Sequence, residues 1–327
     1  MSQPTAMPRD ASASFAQARQ ASRRTLIYLN LVLVLLISVF AFVALSILKA
    51  RVQDDAAESL ETVLDSTSAS VQLWVNQEFQ AIRNVAKEPH LQQLVLSQVA
   101  RYRDKQSLLD NPVLEALRER LAVVRSLDDH SGFFVIAADG TSVASMRDAN
   151  VGSTNLIRLQ RPELLARALA GETVLVPPIP SDVAIAGTKN IAGRDVPPTM
   201  FFLTPVRSPE GSVVAVLAFR SDPSAMFSRL AALGRVGDTG DFYFFDRMGH
   251  LLTQSRFDQQ LVALGALQQN EQSILSVEIR DPLGNLLKGH RGRVREVLPY
   301  TEMAASAVRG ISGKNVSGYR DYRGVPV

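Results

Sequence analysis

The longest uninterrupted apolar run in the chain is Leu26–Leu48, LIYLNLVLVLLISVFAFVALSIL, 23 residues without a charge. As a helix it spans about 34 Å, enough to cross a hydrocarbon core of roughly 30 Å. A cleaved leader would carry a shorter apolar region of about 7–15 residues and a small-residue cleavage site. The pattern predicts an uncleaved membrane anchor, in which Asn30 and Ser38 are tolerable polar positions. Arg9, Arg19, Arg23 and Arg24 precede the span, while Asp54, Asp55 and Glu58 follow closely behind Lys49 and Arg51. That asymmetry keeps the N-terminal side cytoplasmic and places everything after Lys49 outside.

From Lys49 to Ala86 no proline or glycine interrupts the chain. Apolar positions recur at helical spacing at Leu60, Leu64, Val71, Trp74, Ile82 and Val85, with Thr67 filling one step. The spacing predicts a helix about 55 Å long, stopped where Pro89 disfavours helix at Glu88. Such a stripe needs cover from its own domain or from a second copy. Further helices are expected over 91–103 and 112–127, the second with proline at its first position.

The pattern then changes to period two. Phe133–Ala137 and Thr141–Ser145 flank Ala138-Asp139-Gly140, a strand–turn–strand signal. Pro162–Ala170 reads as a short helix stopped by Gly171, and Val176–Pro198 reads as a loop rich in proline, glycine and aspartate. Met200–Val206 and Ser212–Arg220 read as paired strands around Ser208-Pro209-Glu210-Gly211. A short helix over Ser224–Leu233 leads to a second hairpin, Asp241–Phe245 with His250–Gln254.

The two hairpin regions correspond. Gly140 aligns with Gly249 and Gly211 with Gly324, at offsets of 109 and 113 residues, and Arg147 falls over Arg256. The shared order of aromatic hairpin, arginine, insertion and second hairpin points to duplication. Nine residues follow Gly211 to Arg220, but only Val325, Pro326 and Val327 follow Gly324. The alignment therefore predicts that the chain stops inside its last strand.

Composition changes this picture little. Of 327 residues 46% are hydrophobic and 20% charged, so the chain can bury a core. A net charge of +3, dispersed along the chain, gives no footprint for nucleic acid. There is no cysteine, which excludes disulfides and thiolate chemistry. No nucleophile elbow, complete P-loop or H-E-x-x-H motif occurs, and the four histidines (90, 130, 250 and 290) show no metal spacing. No cofactor and no metal is called for. Lys288, His290, Arg291, Arg293 and Arg295 read as a solvated basic loop, His250 as a hairpin-tip residue and Trp74 as a core anchor. The leading competitors are a signal-anchored periplasmic hydrolase and a ligand-free structural stalk.

Three stretches, LETVLDSTSASVQLW at 60–74, GRVGDTGDFYFFDRMGHLLTQSRF at 234–257 and GYRDYRGVPV at 318–327, resemble the double Cache (dCache, PAS-like) sensor domains of bacterial transmembrane receptors. The resemblance covers roughly residues 50–327. It implies an α+β fold: a transmembrane helix continuing into a long helix, then two PAS-like subdomains with antiparallel sheets. The expected division is a cytoplasmic tail (1–25), a transmembrane helix (26–48), a membrane-proximal helix (49–88), a membrane-distal subdomain (89–222) and a membrane-proximal subdomain (223–327). It also implies a small-molecule ligand in the distal subdomain, a homodimer, and a cytoplasmic output domain beyond a second span. The family's amino-acid-binding subset carries a tyrosine–arginine–tryptophan–tyrosine cluster that is missing between residues 90 and 150, and Arg220 stands where its strand-end aspartate would be. A free amino acid is therefore a poor fit. Arg147 and Arg220, with Asp182 and Phe202, are the candidate ligand-binding residues, suited to a small organic anion because a guanidinium offers bidentate donors. The plainer alternative pairs the arginines with Asp148 or Asp222.

Overall fold

The computed structural model describes residues 9–127, 132–181, 197–237, 239–269, 271–290 and 298–327, without the side chains of 9–25, 27 and 124–127. The fold is α+β. One helix, α1 (Arg9–Ala86), runs through the apolar stretch and on to the proline stop. Contacts divide the chain into residues 1–60 and 61–327.

In the first unit the side chains of the apolar run are exposed, Phe40 to 76%. The helix is long and apolar enough to cross a membrane. Its polar side chains are satisfied within the helix. Asn30 Nδ2 donates to Leu26 O at 2.9 Å, and Ser38 and, beyond expectation, Ser46 donate to the carbonyls four residues back at 2.8 Å. Such bonds let a polar residue enter hydrocarbon without an orphaned group.

The second unit is built on a five-stranded antiparallel sheet, ordered β2-β1-β5-β4-β3. The strands are β1 (Gly132–Ala137), β2 (Ser142–Ser145), β3 (Val174–Pro180), β4 (Pro198–Arg207) and β5 (Val213–Ser221). All six residues of β1 are buried, and so are six consecutive residues of β5. Both faces are therefore covered. One face carries Phe133, Val135, Phe202, Leu217 and Phe219 against the C-terminal part of α1, α2 (Pro89–Ala100) and α4 (Pro112–Leu127). The other carries Phe134, Ile136, Phe201, Leu203, Val216 and Ala218 against α5 (Leu156–Gln160) and α6 (Pro162–Leu169).

The helical stripe splits in two. Trp74 and Ile82 are buried, and Val71 and Val85 pack half-buried against the same core. Leu60 and Leu64 remain 56% and 50% exposed. Trp74 meets Phe202 edge-on at 5.5 Å and stacks on Phe227 at 6.1 Å, so it is the core anchor its position suggested. Under α2, buried Gln98 donates to Leu108 O and Val143 O and accepts from Asn111 Nδ2, tying α2 to α3 (Lys105–Leu109) and β2. Sequence periodicity missed this network because Gln98 sits on an otherwise apolar face.

One expectation is corrected. Val174–Pro180 is not loop but strand, although it holds three prolines. Proline is tolerated there because β3 pairs only with β4 and ends the sheet, and the register slips between Val176 and Ile179 around Pro177 and Pro178. Residues 182–196 of the expected loop lie outside the described residues.

After β5, α7 (Met226–Leu233) packs on the large core through Phe227 and Leu230, while α8 (Asp258–Ala263) and α9 (Glu302–Val308) flank a separate small core of Leu251, Phe257, Leu261, Val277, Ile279 and Tyr322. The expected hairpin at 241–254 is present as a turn with one bridge, Phe245 to Leu251, and single bridges join His250 to Glu278 and Arg280 to Tyr300. Side chains still alternate: Phe244 and Leu252 face the large core, Tyr243, Phe245 and Leu251 the small one.

Candidate functional site

Arg220 lies one residue from the end of β5, opposite Gly132 on β1 and Phe201 on β4. Its face of the sheet is the one covered by α5 and α6, since Val216 and Ala218 precede it at period two. The side chain is 6% exposed. Its guanidinium carbon stands 5.5 Å from the Phe134 ring and 5.3 Å from the Phe201 ring, and Nη1 donates to Ser181 Oγ at 2.9 Å. Aromatic faces attract a guanidinium, by about 0.5–2 kcal/mol each, and hold its position.

Two hydroxyls complete this end of the sheet. Ser181, just past β3, is buried and is held in place by its N–H donating to Pro197 O at 3.1 Å. Thr199 pairs in register with Ile179 and shares a face with Phe201, two residues on. It is 1% exposed, and its Oγ1 has no hydrogen-bond partner among the described residues. An unmet buried hydroxyl costs about 1–3 kcal/mol.

The other candidates fall differently. Phe202 is one residue out of phase. It lies on the opposite face with Trp74 and Phe79, so it cannot share a site with Arg220, and Phe201 is the aromatic neighbour instead. Arg147 is half-buried at the start of a one-turn 3-10 segment, Asp148–Asn150, beyond β2. Asp182 lies outside the described residues. Of the acids considered as structural partners, Asp148 pairs with Arg118, and Asp222 Oδ1 accepts from Ser224 N at 2.8 Å and Oγ at 2.7 Å. Thr199 was missed because the sequence placed the start of β4 at Met200, two residues late.

His250 Nδ1 lies 3.3 Å from Asp246 Oδ2 at the hairpin tip, and no described histidine is hydrogen-bonded to a serine. Arg256, the counterpart of Arg147, donates through Nη1 to Gly237 O at 2.7 Å and Gly240 O at 2.8 Å. His290 bonds Pro282 O, whereas Arg291, Arg293 and Arg295 lie outside the described residues. Among the described residues no group of histidine, aspartate or glutamate could hold a metal ion.

No protein-family model matches the chain, and no curated protein matches it. Solved structures do. The sensor domain of the Vibrio cholerae histidine kinase DctB is similar at 13% identity and a TM-score of 0.38, over 54% of this chain and 58% of that one. This chain thus spans less than two thirds of that domain. The ligand-binding domain of the Pseudomonas aeruginosa amino acid chemoreceptor PctC, in complex with GABA, is similar at 16% identity and a TM-score of 0.40, over 63% of this chain and 79% of that one. The sensory domain of the Campylobacter jejuni chemoreceptor Tlp3, with isoleucine bound, is similar at 14% identity and a TM-score of 0.42, over 65% and 76%.

Proposed function

We propose that this chain is the ligand-sensing input module of a bacterial transmembrane receptor of the double Cache kind. In this reading Leu26–Leu48 anchors it, the residues after Lys49 are exported, and two copies associate along the exposed Leu60 and Leu64 of α1. Residues 89–222 form the membrane-distal, ligand-binding part and 223–327 the membrane-proximal part. The ligand is a small organic anion whose carboxylate meets Arg220.

One observation carries the ligand assignment: a buried guanidinium flanked by two phenyl rings, with a buried hydroxyl lacking any described partner on the same sheet face. Ring faces on Phe134 and Phe201 leave the in-plane N–H groups for polar partners, the geometry that suits a carboxylate. Thr199 Oγ1 gains from a ligand that hydrogen-bonds to it.

The test is a thermal-shift screen of the full chain in detergent micelles against small organic acids. A ligand at about a hundred times its Kd stabilises by about 2.7 kcal/mol. Arg220→Met keeps the apolar stem between the rings and should abolish the shift while circular dichroism stays unchanged. An undiminished shift in that variant, or a hit confined to cations, sinks the assignment.

A further inference from the structure

A second concave surface lies in the later part of the chain, between α7 and residues 254–256. It is a cleft of about 290 Å³ lined by Ser224, Ser228, Arg229, Arg235, Gln254 and Arg256, with Ala232 and Ser255. Every polar lining side chain is a guanidinium, a hydroxyl or an amide, and none is a carboxylate. The nearby acids hold lining groups without lining the cleft themselves. Asp222 engages Ser224, Asp241 lies 3.3 Å from Arg235 Nε, and Asp258 Oδ2 accepts from Gln254 Nε2 at 3.1 Å.

The walls are fixed. Ser228 Oγ donates to Pro223 O at 2.7 Å and accepts from Gln254 N at 3.0 Å, joining the helix to the hairpin. Arg235 Nη2 donates to Gln254 O at 2.9 Å, and Arg256 Nη1 is clamped by two glycine carbonyls. Each of these two arginines is thus anchored through one nitrogen to backbone carbonyls. Arg235 Nε is fully buried and, despite its proximity to Asp241, makes no aligned hydrogen bond. Preorganised guanidinium groups beside serine hydroxyls are the chemistry that recognises carboxylate and phosphate oxygens.

We propose that this cleft is a second binding site, for a small oxyanion: the carboxylate or phosphate group of a metabolite-sized molecule. Its volume is near the low end of the range of small-molecule pockets, about 300 Å³. The site does not depend on Arg220.

The experiment is titration calorimetry of the full chain in a non-ionic detergent, with citrate and separately with inorganic phosphate at low ionic strength. At least one should bind at millimolar concentration or below, and added sodium chloride should weaken it. Arg229→Gln should reduce the affinity at least tenfold. Ser224→Glu, which removes no anchoring bond of Arg235 or Arg256, should do the same by placing a carboxylate in the cleft. Arg220→Met should leave this binding unchanged, which separates the cleft from the sheet-end site. Failure of both anions to bind at millimolar concentration overturns the proposal, as does equal affinity in the Arg229→Gln and Ser224→Glu proteins.

Discussion

The two halves of residues 132–327 share their turns but not their sheets. At Gly140 the turn is closed by Gly140 N to Ala137 O at 2.9 Å and Ala137 N to Thr141 O at 2.8 Å. At Gly249 the matching bonds are Gly249 N to Asp246 O and Asp246 N to His250 O, both 2.9 Å. Gly211 and Gly324 repeat the same arrangement, at φ 92° and 73°, with N–H bonds to Ser208 O and Asp321 O. Yet the first half builds five strands, whereas the described residues of the second carry only isolated bridges. Local turn chemistry is short-range and survives in both. A sheet needs long, mutually paired strands, which GFFVIA and VVAVLAFRS supply, and here both of its faces are covered. In the later half the turn acids accept hydrogen bonds within their own turns: Asp246 Oδ1 from Met248 N at 2.8 Å and His250 N at 2.9 Å, and Asp321 Oδ1 from Arg323 N and Val325 N at 2.9 Å.

The matched glycines give the largest test of that comparison. A methyl group at Gly211 meets nothing within 4 Å, whereas at Gly324 it would enter the carbonyl oxygen of Gly284. Gly211→Ala should cost only the left-handed strain of about 1–2 kcal/mol. Gly324→Ala should cost that plus about 1–3 kcal/mol for displaced backbone. Urea unfolding followed by the fluorescence of Trp74, the only tryptophan, reads both. Equal losses would mean that the two turns have equivalent surroundings after all.

Buried hydroxyls should separate the halves by sign. Thr199 Oγ1 has no partner among the described residues, so Thr199→Val should stabilise the unliganded chain by about 1–3 kcal/mol. Tyr322 in the later half bonds Ser255 Oγ at 2.6 Å and Asp241 Oδ2 at 3.0 Å. Tyr322→Phe should therefore destabilise, by about 1 kcal/mol. A loss in Thr199→Val would show that its hydroxyl is already paired.

The smallest effect is a pH dependence from two carboxylates of the later half. Burial, the largest influence, raises the Asp241 carboxyl above its ordinary value despite Tyr322 and Arg235. Its contribution to stability is full below the unfolded carboxylate value, about 3.9, and is lost as pH rises through the folded value. The Arg320 hydrogen bond lowers Asp281, so that contribution is present above about 3.9 and lost as pH falls through the folded value. Asp241→Asn should flatten the first slope and Asp281→Asn the second, in melting temperatures measured across pH 2–7. Slopes that do not respond would place the pH dependence elsewhere.

Much of this was legible without coordinates. The apolar helix, the proline stop after Ala86, the helix Pro112–Leu127 and the glycine turns all follow from periodicity and turn residues. The candidate site was legible only in part. Arg220 stood out as a charge closing an apolar strand, but its companions could not be named, because a one-residue error in phase moves a side chain through the sheet. Phe202 and Phe201 are indistinguishable in sequence and lie on opposite faces.

What the sequence alone determined, then, is what depends on neighbours a few residues away: helix extent, turn position and the apolar run. Register, face and burial were decided by the tertiary structure, because they depend on which distant strand lies alongside. Pairing with β1 and β4 puts Arg220 between two phenyl rings, and an edge position lets a segment rich in proline become β3. One hairpin region is paired into a sheet covered on both faces, while the described residues of the other form turns joined by isolated bridges.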